Sequence, residues 1–110
     1  MLTADSLFDL VSQIDPSVEL KYNKLYIGLS KQGRAWNFVS FLPKRQHVIL
    51  EFRIPRRDEI DARLDEAEMD TLEYDSRGNR YRIRLTEVEI ESNETLIKEL
   101  MQHAWQLRND

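Results

Sequence analysis

Apolar residues alternate with polar ones through Glu19–Pro55, whereas on either side they recur at intervals of three and four. The first pattern suits strands with one buried face, and the second suits amphipathic helices. At the start, Leu7, Leu10, Val11 and Ile14 fall at i, i+3, i+4 and i+7. They predict a helix over about Ala4–Ile14, with Thr3 as N-cap and Asp15-Pro16 as its stop, because a residue before proline is pushed out of the helical region.

The middle stretch reads as a four-strand antiparallel meander. A turn at Asn23-Lys24 would pair Tyr22 with Leu25, Leu20 with Ile27 and Val18 with Leu29. Gly33 marks a second turn over Lys31–Arg34, pairing Leu29 with Trp36, Ile27 with Phe38 and Leu25 with Ser40. A third turn over Pro43–His47 would set Leu42 against Val48, Ser40 against Leu50, Phe38 against Phe52 and Trp36 against Ile54. Tyr26, Asn37, Val39, Phe41, Ile49, Glu51 and Arg53 are then outward-facing. Within that set Tyr26, Val39, Phe41 and Ile49 form an apolar patch suited to another protein or a second copy of the chain.

Beyond Pro55, Ile60 and Leu64 anchor a short helix whose first turn carries Asp58, Glu59 and Asp61, where a helix dipole favours carboxylates. Two alternating runs around Ser76–Asn79 predict a second hairpin, with Arg80, Arg82 and Arg84 on one face. Thr86-x-x-Glu89 is a capping box. Leu96, Ile97, Leu100, Met101, Ala104 and Leu107 predict a last helix over about Asn93–Arg108. The order α-β-β-β-β-α-β-β-α implies one α+β domain over residues 1–110, a mostly antiparallel sheet of about six strands with the terminal helices on one face.

Charge adds an asymmetry to this plan. The chain carries −4 overall, yet Lys21–Arg57 holds nine basic residues against Glu51 alone, a local +8 that leaves −12 for the rest. Lys31, Arg34, Lys44 and Arg45 sit in predicted turns. If those turns project from one sheet edge and Lys24 from the other, two basic clusters result, able to meet phosphates, with Trp36, Phe41 or Tyr26 adding stacking. The Arg80, Arg82 and Arg84 stripe beside Arg53 is a second candidate for phosphate or an acidic peptide. The plainer alternative for all these cations is pairing with Glu51, Glu73, Asp75 and the acidic segment after Pro55.

Enzyme chemistry finds little footing. Glu19-Leu20-Lys21 fits the E-x-K half of a metal-dependent nuclease pattern, but Asp9 lies in a helix and Asp15 precedes a proline, so neither supplies the aspartate that pattern needs. His47 and His103 have no second ligand at metal-binding spacing, there is no cysteine, and no phosphate-loop or nucleophile-elbow motif occurs. No catalytic residue, metal ligand or cofactor is therefore assigned. No apolar run approaches the ~20 residues that span a bilayer, and MLTADSLFDL lacks the features of a signal peptide, so the expected location is cytoplasmic.

Lys21–Gly28, Asn37-Phe38-Val39 and Tyr81-Arg82-Ile83 together resemble a bacterial domain of unknown function labelled a predicted transport protein. That domain is found at the C-terminal end of larger proteins, including restriction-type defence proteins. The resemblance runs from Val18 to the C-terminus and implies a small accessory domain near nucleic-acid transactions. It carries over no catalytic residues, and the transport label gains no support from these residues.

Overall fold

The structure, a computed structural model, describes residues 2–24 and 26–109. In chain order the elements are α1 (Leu2–Ile14), β1 (Glu19–Tyr22), β2 (Ile27–Lys31), β3 (Arg34–Ala35), β4 (Val39–Pro43), β5 (Val48–Arg53), α2 (Asp58–Glu66), β6 (Asp70–Thr71), β7 (Arg80–Leu85), α3 (Glu87–Ser92) and α4 (Glu94–Asn109). The α+β class and the antiparallel sheet are as the periodicities predict. α1 begins two residues earlier than expected, so Thr3 lies inside it rather than capping it.

The sheet runs β1-β2-β4-β5-β7-β6 with every pair antiparallel, and β3 pairs only with β2, off the main path. α1, α3 and α4 touch one another and the β4-β5-β7 centre of the sheet. An Arg63–Glu99 ion pair ties α2 to α4. Leu7 and Val11 of α1 meet Ile97, Leu100 and Met101 of α4 in one core with Phe41, Leu50, Phe52, Ile83 and Leu85 of the sheet. Each such side chain contributes roughly 1.5–3 kcal/mol by leaving water. The opposite face of the central strands carries Ser40, Leu42, Ile49 and Glu51 beside Arg80, Arg82 and Arg84.

The strand register departs from expectation in an informative way. β1 and β2 pair Leu20 with Leu29 and Tyr22 with Ile27, two residues away from the expected pairs, with Asn23 N–H donating to Tyr26 O across a longer turn. A two-residue shift keeps each side chain on its face. The expected Tyr22–Leu25 and Leu25–Ser40 pairs lie outside the described residues. The second turn is as predicted: Lys31 faces Arg34, and Gln32 and Gly33 both have positive φ (54° and 78°), the mark of a type I′ hairpin.

The meander then breaks at Trp36-Asn37-Phe38. Trp36 N–H still donates to Leu29 O, but the Asn37 side-chain oxygen accepts the Leu29 N–H at 2.6 Å, taking the place of a backbone partner. Gly28 makes room for it: a Cβ there would stand 2.7 Å from that oxygen. When pairing with β2 resumes, Ile27 faces Phe41 rather than Phe38. Across the next hairpin Phe41 faces Leu50 and Val39 faces Phe52, one residue from the expected register.

That single step reverses the faces of β4. Val39 and Phe41 point into the core at 1% and 0% exposure, and Ser40 and Leu42 face outward. Ile49 does lie on the outward face, between Leu42 and Arg84, but at 8% exposure it is covered; the aliphatic stem of an arginine is well suited to such cover. Of the four residues expected to form an outward apolar patch only Tyr26 is exposed, so that patch does not exist.

Candidate nucleic-acid interface

The outward face of β5 and β7 answers its own charge. Arg82 lies directly opposite Glu51 and donates from Nε to Oε2 at 2.7 Å, while Arg80 donates from Nη1 to Oε1 at 3.3 Å. Arg80 also reaches Asp75 at 2.7 Å, and Arg84 reaches Asp70 on β6 at 3.1 Å. The arginine stripe is therefore a set of cross-strand ion pairs. Little of its charge is left for a phosphate.

Lys31 is likewise committed. Its Nζ donates to Asp15 Oδ2 at 3.0 Å, at the end of α1, and stands 5.3 Å from the centre of the Trp36 ring. Asp15 also accepts from Trp105 Nε1 on α4 and from the Ser17 backbone and hydroxyl. Burial pushes its carboxyl up, but the hydrogen bonds from Ser17, Trp105 and Lys31 outweigh that and hold it well below the usual range. Arg108 also lies over the Trp36 ring, 3.9 Å from its centre. Two cations thus stand against the half-buried Trp36 ring, and Phe41 is fully buried, so it offers no ring to a base.

Four of the predicted cations, Arg34, Lys44, Arg45 and Arg53, are exposed and form no ion pair among the described residues. Topology sorts them differently from expectation. β2 runs from Ile27 to Lys31 and β4 returns antiparallel beside it, so the β4–β5 turn lies at the same end of the sheet as the β1–β2 turn. Lys44 and Arg45 accordingly join Lys24, and Lys31 and Arg34 lie at the far end, with Arg53. Consecutive turns of a meander alternate ends, and the two expected clusters exchange members for that reason.

The Lys24, Lys44 and Arg45 end has a second property. Tyr22 is 73% exposed and Tyr26 37% exposed, both flanking the β1–β2 turn. Neither 22–26 nor 43–47 contains a carboxylate. The turns belong to two hairpins whose adjacent strands, β2 and β4, are neighbours in the sheet, which sets the turn centres about 10 Å apart from a strand spacing of about 4.8 Å. Lys44 N–H donates to His47 O at 2.8 Å and closes the second turn. Tyr22 was missed in the sequence because its inward parity implied burial. As the last residue of an edge strand it is left exposed instead.

Glu19 and Lys21 are exposed on β1, and Asp15, at the end of α1, is held in its own network with Lys31 and Trp105. Among the described residues no group of three histidine, aspartate or glutamate side chains is placed to hold a metal ion. His47 is half-buried in its turn and His103 half-buried on α4. No helix of the described residues is long and apolar enough to cross a membrane. No protein-family model, curated protein or solved structure matches the chain.

Proposed function

We propose that this domain is a binding module that contacts nucleic acid through the end of the sheet carrying Lys24, Lys44 and Arg45. The observation that carries the reading is the convergence of two carboxylate-free turns, whose three cations are exposed, beside two exposed tyrosines. Long flexible cations without intramolecular partners attract phosphates, and exposed aromatic rings accept unpaired bases by stacking. The resemblance to small accessory domains of restriction-type proteins agrees with such a role, in which the module supplies contact and its host supplies chemistry.

Fluorescence anisotropy with labelled short DNA and RNA tests it. Three phosphate contacts give a log–log salt slope of about −2 for a single strand or about −3 for a duplex. Lys44→Glu/Arg45→Glu should abolish binding, and Arg34→Glu, at the opposite end, should leave it nearly unchanged. No binding at low salt, or equal loss in both variants, overturns the proposal.

A further inference from the structure

The opposite edge of the sheet from β1 ends on β6, and beside it lies an open cleft of about 880 Å³ between β6 and α2. Leu64 of α2 and Met69 and Leu72 of the strand segment give it an apolar lining. Two of its carboxylates are already answered, Asp61 by Arg56 and the Tyr81 hydroxyl, and Asp70 by Arg84. Asp65 on the helix wall and Glu73 on the strand wall are exposed and form no ion pair among the described residues.

The strand wall has unpaired backbone as well. Leu72 N–H donates to Arg82 O at 2.8 Å, so Leu72 makes its backbone bonds toward β7, and Asp70 pairs with Arg84 in the same phase. In an antiparallel ladder the residue between two such positions turns its N–H and C=O the other way. That residue is Thr71, which lines the cleft. An edge strand with outward amide groups is a template for another strand.

We propose that this cleft binds an extended basic segment of a partner protein, which adds a strand to β6. Its backbone would pair with Thr71, apolar side chains at alternate positions would enter between Leu64 and Leu72, and the cationic side chains would meet Asp65 and Glu73. Charge complementarity selects the occupant: the cleft carries two uncompensated negative charges on facing walls, and a basic segment neutralises both. This site is independent of the cationic turns, which lie at the other side of the sheet.

The test uses the whole chain and a fluorescein-labelled peptide of about eight residues, a usual strand length, alternating lysine and valine. A lysine–proline peptide of equal charge cannot pair as a strand and serves as the control. The lysine–valine peptide should bind at least tenfold more tightly than the control, and Asp65→Asn/Glu73→Gln should weaken it at least fivefold. Thr71→Pro removes an outward N–H without breaking the ladder to β7 and should have a similar effect. Should that variant unfold, amide exchange on the unaltered protein decides: the Thr71 N–H should gain protection when peptide is added. Equal binding of both peptides, unchanged exchange at Thr71, or no binding of the lysine–valine peptide overturns the proposal.

Discussion

Glu51 and Arg82 face each other across β5 and β7 and are joined by a 2.7 Å hydrogen bond from Nε to Oε2, with Glu51 only 8% exposed. The other carboxylate oxygen accepts from Arg80 and from Ser40 Oγ, both at 3.3 Å. One carboxylate thus keeps two adjacent arginines from repelling one another.

Replacing Glu51 with leucine should therefore destabilise the fold. Breaking a buried pair costs about 3–5 kcal/mol, and since Arg80 and Arg82 are partly solvated a loss of about 2 kcal/mol is expected. Urea unfolding measures it. Arg82→Leu in the same chain should restore at least half of the loss, because the uncompensated cation is then gone; a double variant no better than Glu51→Leu alone would contradict the pairing.

Asp15 gathers bonds from α1's end, β2 and α4. Its folded-state carboxyl lies below the ordinary value of 3.8, so the carboxylate stabilises the fold above that pH, and the contribution drains away as the pH falls further. Asp15→Asn should cost about 2 kcal/mol near neutrality, on the scale of hydrogen bonds to a charged group. The gap between the two proteins should narrow steadily below pH 3.8 in urea titrations. A gap independent of pH would show that charge plays no part.

Tyr81 stacks on Phe52 beneath α2, and its hydroxyl donates to Asp61 at 2.7 Å and accepts the Arg57 N–H at 2.8 Å. Burial pushes its pKa up to about 12, and the neighbouring Asp61 carboxylate acts in the same direction. The folded protein keeps this proton after the unfolded chain, near 10.0, has lost it, so stability should fall as the pH rises from 10.0 to about 12. Ultraviolet tyrosinate titration should show a late step that Tyr81→Phe removes, and the variant should lose about 1 kcal/mol at neutral pH.

Gly28→Ala should be among the more damaging small substitutions. The added Cβ would meet Asn37 Oδ1 at 2.7 Å and Tyr26 Cε2 at 3.1 Å, displacing the side chain that accepts the Leu29 N–H. A loss of about 1–3 kcal/mol is expected from overpacking, read from thermal unfolding. Asn37→Ala should relieve the clash in part while still losing the hydrogen bond.

The same glycine explains what could be read from sequence. Helices α1, α2 and α4, the capping box at Thr86 and the Lys31–Arg34 turn follow local rules, and all are present. The β4 face does not. Phe38 and Leu42 suit one phase and Val39 and Phe41 the other, so alternation alone leaves the strand undecided. The choice falls to Asn37, whose side chain replaces a backbone acceptor and admits three residues into the strand, a tertiary event with no periodic signature. Around the candidate site, the sequence placed Lys24, Lys44 and Arg45 in turns, and Glu51 stood among the carboxylates it offered as partners to the arginine stripe. The grouping of the turn cations depended on which sheet end each turn occupies, and the exposure of Tyr22 on its place at the end of an edge strand.

Asp15 also sets an order on assembly. Its partners Lys31 and Trp105 are separated by most of the chain, and α4 closes over β4 and β5. On a ribosome, every strand through Leu85 is available while the oily side of the sheet still lacks the lid that Ile97, Leu100 and Met101 provide. The nascent chain must therefore hold an unfinished sheet until Trp105 emerges. Its vulnerable interval for aggregation or chaperone capture is the synthesis of the twenty residues from Leu85 to Trp105, about one to four seconds at usual elongation rates.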